Sequence, residues 1–511
     1  MSDEDEDFQF FDPTDMERML LPQRKLAARP AGEGMNSGVL YDVDGVKELK
    51  SKSTSVASMT RIRRKKDHGS TAAFLNHNIL SAMYKFLPYE DLIIQSRTSR
   101  DFYKALRKVP LNLTCHGERA RMLCSYLSGL AVPNSTIRIL RLGEERDTIR
   151  ETALNDLCVA FQNAVVPRLT NFHIEINPDT GEQGIFTLID AMLTNPLNEL
   201  RCLDFEGSYI GQKSARKLAD ILASKKFSMV EELNLSRNGM GEQGTKFMVK
   251  GLVSNGGACP KLKVLNLERN DVGKGWRTIP KALGGDAFKS SLVDFNCSNN
   301  NITGDAMRIA ADECHGGIEH VLKYLNFSYN DLGDIGAARF VNLFLGFSTS
   351  IIKLHLSSID GQTKFALGLA KAIEDSRLPH LEHLDIGKNA IARQGIERLS
   401  QALETGRCPG LRHLDLSVCS MTSSGISLLC QSIRSGCYDN LRHLDLSANN
   451  AQASMVFIAE VLKEGRCGEL RKLIISKNSP MKERKGLPFC FRDVFFKNHK
   501  WLVVVDDEDI L

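Results

Sequence analysis

Three observations predict an α/β solenoid in place of a single globular core. A nine-residue pattern, L-x-x-L-x-L-x-x-N, begins at Ile137, Leu169, Leu200, Val230, Leu262, Leu292, Leu322, Ile351, Leu381, Leu411, Leu441 and Leu470. Successive starts lie 29 (441 to 470) to 32 (137 to 169) residues apart, too even a spacing for chance. A glycine-containing turn and a helical stretch follow the asparagine, and 511 residues exceed what one hydrophobic core supports.

Each element of the repeat has a physical reason. In the stretches Val230–Asn238, Leu262–Asn270 and Leu381–Asn389 the fourth and sixth residues are apolar, so a short alternating strand points them inward. The closing asparagine, at Asn238, Asn270, Asn300, Asn330, Asn389 and Asn478, carries an amide suited to bond the backbone of its own and the next coil. Turns such as Gly241–Gly244, Gly333–Gly336 and Gly395 lead into helices, for example over Thr245–Val253 and Ile396–Leu403. A period near 30 with a full helix per repeat resembles the ribonuclease-inhibitor type of leucine-rich repeat. The resemblance implies a horseshoe over residues 137–480, about twelve repeats, with parallel strands on the concave side and helices on the convex side.

The flanks differ in kind. Residues 1–70 show neither helical nor strand periodicity and read as disordered, with Arg61–Lys66 as a basic run that is either solvated or a nuclear-import signal. Residues 71–112 place Phe74, Leu75, Ile79, Leu80, Met83, Phe86, Leu87, Leu92, Ile93, Phe102 and Tyr103 at helical spacings interrupted by Pro88, a small all-α unit. Residues 113–136 read as a linker or N-terminal cap. Residues 481–511 read as a C-terminal cap, rich in aromatics and valine, with an acidic solubilising tail at Asp506–Asp509.

The string from Leu75 to Tyr103 resembles an F-box. Ile79-Leu80, Phe86-Leu87-Pro88, Asp91-Leu92, Ser99-Arg100 and the pair Phe102-Tyr103 carry the match, while Asn76-His77-Asn78 stand where Pro-x-Glu is usual. An F-box followed by leucine-rich repeats implies the substrate-recognition subunit of an SCF-type cullin-RING ubiquitin ligase, a monomer within that complex. The resemblance implies that Leu75, Ile79, Leu80, Phe86, Leu87, Pro88 and Leu92 dock on a Skp-type adaptor while the concave face holds a protein target. The other reading is a non-enzymatic scaffold, cytoskeletal or regulatory, in which these helices only cover the first coil.

On the solenoid, His383, His413 and His443 with Asp385, Asp415 and Asp445 should form adjacent ladders on the concave face, about 4.8 Å between strands. We read them as partner contacts, the imidazoles shielding the carboxylates from one another; no closed ligand set points to a metal. Asn234, Asn266, Asn296 and Asn326 occupy the aspartate register earlier, which divides the face into an amide half and a His/Asp half; Tyr324 and Tyr329 are its few aromatics. Cys259, Cys408, Cys437 and Cys467 recur just ahead of the strands, as buried thiols do, so neither disulfides nor zinc are expected from the thirteen cysteines.

Composition narrows function. Net charge is +4, too balanced for a nucleic-acid footprint, and no run of about 18 apolar residues is present to cross a membrane. The acidic Asp3–Asp7 start lacks the apolar core of a secretory signal, which places the chain in the cytosol or nucleus. No phosphate loop, nucleophile elbow or H-E-x-x-H helix appears, so no cofactor and no enzymatic activity are expected.

Overall fold

Satisfying the backbone at every bend, while hiding one apolar side of each strand, dictates what these repeats build. The computed structural model describes residues 111–478, apart from short loop stretches, together with strand pairs at 38–40 and 49–51 and at 503–506 and 509–510. The chain divides into units 1–80 and 81–511. In the first, β1 (Gly38–Leu40) and β2 (Leu49–Ser51) pair antiparallel, Leu40 opposite Leu49. This is a local departure from the expected absence of regular structure. The sequence between the strands contains Asp44-Gly45, a dipeptide that favours turning.

In the second unit the strands are β3 (Leu111–Cys115), β4 (Ile137–Leu142), β5 (Asn171–Ile174), β6 (Cys202–Asp204), β7 (Glu232–Asn234), β8 (Val264–Asn266), β9 (Asp294–Asn296) and β10 (Tyr324–Asn326). They continue as β11 (Lys353–His355), β12 (His383–Asp385), β13 (His413–Asp415), β14 (His443–Asp445), β15 (Lys472–Ile474), β16 (Val503–Asp506) and β17 (Asp509–Ile510). All belong to one 15-stranded sheet in strict chain order, β3 to β16 parallel and β17 antiparallel. Helices alternate with the strands and pack on their chain neighbours, so the fold is the leucine-rich-repeat solenoid. In each three-residue strand the middle side chain is buried and both neighbours face out, as Leu384 does between His383 and Asp385. Three apolar side chains per coil, such as Leu381, Leu384 and Ile386, are fully buried, each contributing about 1.5–3 kcal/mol once a neighbouring coil covers it.

Residues 113–136, expected as a linker or N-terminal cap, contain β3 and the helix α1 (Gly117–Ser128), which make a further coil beside β4, with Leu113, Cys115, Leu123 and Leu127 in the common core. Its pattern is too short to match the nine-residue template. At the other end the acidic run is not a free tail, because Asp506 and Asp509 are opposite one another in the β16–β17 hairpin. The coil after β8 also lacks a full helix. Gly273–Thr278 is a 3₁₀ turn and only Ile279–Leu283 is α-helical, since Pro280 cannot continue a helical ladder and Trp276 takes the helix's place in the core. Trp276 there meets Phe327 edge-on at 4.7 Å and lies against Phe295 and Phe344.

The asparagines do bridge coils, but they reach the preceding coil instead of the next. Asn300 Nδ2 donates to Leu267 O of the previous coil at 2.8 Å and to Ser298 O of its own at 3.0 Å. Its Oδ1 accepts the N–H groups of Asn270 and Val272, also from the previous coil, at 2.8 and 3.4 Å. Asn449 repeats the arrangement and joins the set. Where asparagine is absent, Ser208 donates to Ile174 O and accepts from Ile176 N, and the Cys419 thiol donates to Ile386 O. Close helix packing is set by glycine at one joint: a Cβ on Gly251 would come within 2.5 Å of Ala219 O.

Replacing Asn300 by alanine orphans two buried N–H groups and a carbonyl, each costing about 1–3 kcal/mol. The urea midpoint of Asn300→Ala should therefore fall well below that of the parent, and Asn300→Ser should lie between them; equal midpoints would show that the bridge does not hold the coils together.

Candidate protein-binding face

Strand alternation turns the third and fifth residues of each repeat to the concave side, and parallel pairing lines them up. Register confirms the rows: His383 pairs with His413 and His413 with His443, while Asp385 pairs with Asp415 and Asp415 with Asp445. All six predicted residues on this face are thus together. The predicted adaptor residues Leu75, Ile79, Leu80, Phe86, Leu87, Pro88 and Leu92 lie outside the described residues, as does Arg61–Lys66.

The imidazoles stack. Ring centroids are 4.9 Å apart for His383 and His413, nearly parallel at 5°, and 5.4 Å apart for His413 and His443. His355 extends the column, 4.5 Å from His383, although it sits in the aspartate register. Its offset of two residues from the H-L-D motif hid it in the sequence. Burial, reinforced by His355, His413, Lys353 and His443, pushes His383 down to about 3. Burial, then Lys472 and His413, pushes His443 down to about 4. These two rings are therefore neutral and do not shield the carboxylates, contrary to expectation; His355 lies 3.6 Å from Asp385.

The aspartates have a structural task as well. One oxygen of each accepts the backbone N–H two residues on: Asp385 from Gly387 at 3.1 Å, Asp415 from Ser417 and Asp445 from Ser447 at 2.8 Å. The amide row does the same, Asn266 from Glu268 at 3.0 Å, Asn296 from Ser298 at 3.1 Å and Asn326 from Ser328 at 3.0 Å. Either side chain ends the strand with a local turn, so the register selects Asn or Asp for geometry and leaves the charge open. Burial and the like charges of Asp385 and Asp445 raise Asp415 to about 6 against its hydrogen bonds with Ser417.

Charge also returns before the amide row. His173 and Asp204, neighbours in β5 and β6, are 2.8 Å apart, and although burial opposes it the Asp204 hydrogen bond raises the imidazole's pKa. The face therefore has three zones, not two halves. The sequence held the signal, since His173 and Asp204 occupy the fifth position of their repeats. On the rim, Tyr329 is exposed and accepts a hydrogen bond from Lys388 Nζ at 2.8 Å across the intervening coil.

Buried thiols account for the recurring cysteines. Cys259 and Cys408 are buried and donate to Phe227 O and Leu378 O of the previous coil, Cys437 is partly exposed and donates to Glu404 O, and Cys467 is buried. Burial raises Cys259, Cys408 and Cys467 to about 12. No disulfide and no group of three or more His, Cys, Asp or Glu placed for a metal ion occurs among the described residues. No described helix is long and apolar enough to cross a membrane.

A family model described as "Leucine Rich repeat" matches residues 320–341 and 377–400. The ribonuclease inhibitor of Sus scrofa is 27% identical over 353 residues, 63% of this chain and 74% of that protein. Among solved structures, an internalin (inlF) from Listeria monocytogenes is similar over 80% of this chain and 88% of its own at 15% identity and a TM-score of 0.41. A chain from the yeast Rad7 and Elc1 complex is similar over 90% and 96% at 15% identity and a TM-score of 0.44.

Because its folded pKa is raised from 3.8 to about 6, Asp415 costs stability when ionised, fully above pH 6 and not at all below 3.8. Asp415→Asn keeps the acceptor for Ser417 N–H and removes that cost. It should raise the stability to unfolding at pH 7.5 by on the order of 1 kcal/mol, read as a higher melting temperature, and the gain should fade as pH falls through 6 toward 4. A gain that is independent of pH would overturn the assignment.

Proposed function

We propose that this leucine-rich-repeat protein is the substrate-recognition subunit of an SCF-type cullin-RING ubiquitin ligase, acting in the cytosol or nucleus without chemistry of its own. The observation that carries the reading is the continuous concave sheet, β3 to β16 in one parallel array, with zoned polar side chains along it. Such a face holds a protein. The F-box-like string directly before it supplies the second half of the reading, docking on a Skp-type adaptor so that the bound target lies within reach of a ubiquitin-conjugating enzyme. The subunit contributes proximity.

The scaffold reading gave residues 75–108 the task of covering the strand at Ile137. In the described residues β3 and α1 lie over that strand, so β3 is the end strand of the sheet, and adaptor capture separates the two readings.

Full-length protein should capture a Skp-type adaptor in a pull-down, and a variant with Leu87→Ala, Pro88→Ala and Leu92→Ala should not, with unchanged circular dichroism of the repeats. Absence of capture by the parent protein would leave a non-enzymatic scaffold as the function.

A further inference from the structure

The second residue of each repeat forms another row, on the strand-entry side of the imidazole stack and opposite the carboxylates. Backbone bonds establish adjacency at its C-terminal end, Arg442 N to Arg412 O at 2.7 Å and Arg471 N to Arg442 O at 2.9 Å. Most earlier cations of this row are neutralised: Arg138 pairs with Glu199, and Arg201 and Lys263 lie 3.3 and 2.9 Å from Glu231. Arg412 keeps one such partner, Glu382 at 3.3 Å. Arg442, Arg471 and the adjoining Lys472 form no ion pair among the described residues.

Arg442 adds an independent sign. Its Nε is shut off from solvent and donates to nothing, one of three such side-chain atoms among the described residues. A guanidinium kept only for solubility leaves its donors in water, and cations about 4.8 Å apart in successive strands repel one another in the free protein. An anion laid along the row, held by the outer guanidinium nitrogens, relieves the repulsion.

We propose that the strip Arg412, Arg442, Arg471 and Lys472 receives an acidic segment of a partner protein, its carboxylates held by the guanidinium groups. Arginine's planar fork matches a carboxylate with two parallel bonds. The three arginines span two strand steps, about 10 Å, which two or three carboxylates of an extended peptide cover and which is short for a nucleic-acid track. Lys472 is the second cause, after burial, of His443's low pKa, in keeping with positive potential here. Across the imidazole stack, Asp385, Asp415 and Asp445 repel the same segment, so the two rows together fix where it lies.

This inference rests on the concave face holding a protein, though not on adaptor binding. A fluorescent glutamate-rich decapeptide should bind the full-length protein by anisotropy, more weakly as salt rises. Arg471→Gln with Lys472→Gln, both exposed and without an ion-pair partner, should bind at least about tenfold more weakly at unchanged circular dichroism. Asp385→Asn, Asp415→Asn and Asp445→Asn together should bind more tightly. Tighter binding of a phosphoserine-substituted peptide at the same strip would support the contact and make phosphate its source. No binding by the parent protein, equal binding by the glutamine variant, or tighter binding of a single-stranded oligonucleotide of equal charge would overturn the inference. Adaptor capture by the same preparations reports on the ligase reading separately.

Discussion

One amide joins most neighbouring coils. A solenoid buries the bend where strand turns toward helix, and the backbone groups there have no ladder partner of their own. Asn300 shows the solution: one Nδ2 group holds carbonyls of two coils, and one Oδ1 holds two N–H groups of the coil before. Coils stack in register because this bridge tolerates little displacement, and the rows on the concave face exist because the coils are in register. Ser208 and Cys419 show that a smaller polar atom suffices where the neighbours still reach it.

Most of the fold was legible in the sequence because the repeat writes the same physical demand twelve times. Leu384, Leu414 and Leu444 point inward for the reason that His383, His413 and His443 point outward, so one alternating strand predicts all the rows. What escaped lay where the period is broken. The coil at Leu111–Ser128 carries only the second half of the leucine pattern, and Pro280 with Trp276 replaces a helix by a 3₁₀ turn without disturbing the leucines on either side. In the candidate site the rows were legible and their electrostatics were not, because the protonation of His383 or Asp415 depends on burial and on neighbours from other coils. Arg442 and Arg471 are not legible in the sequence, because a charged residue before a strand reads as solvated until its neighbours are known.

Fold and recognition are separated within a single residue position. Asn296 and Asp415 cap their strands through the same Oδ1 contact, so the backbone is indifferent to which of them is present. The remaining atom, amide nitrogen in one and carboxylate oxygen in the other, faces the concave side and decides what that side attracts. A solenoid built this way alters its surface chemistry coil by coil while its path stays the same.

The coil built on Trp276 makes the solenoid hardest to open near its middle. Opening that starts at either end spreads from coil to coil, since each touches only its neighbours. At β8 to β10 the front meets rings shared by three consecutive coils, Trp276 in the first, Phe295 in the second, and Phe327, Phe340 and Phe344 in the third, so losing one coil strips contacts from the other two. Pulled from its ends or warmed, the chain should unzip inward from both sides and keep the coils of the amide row longest.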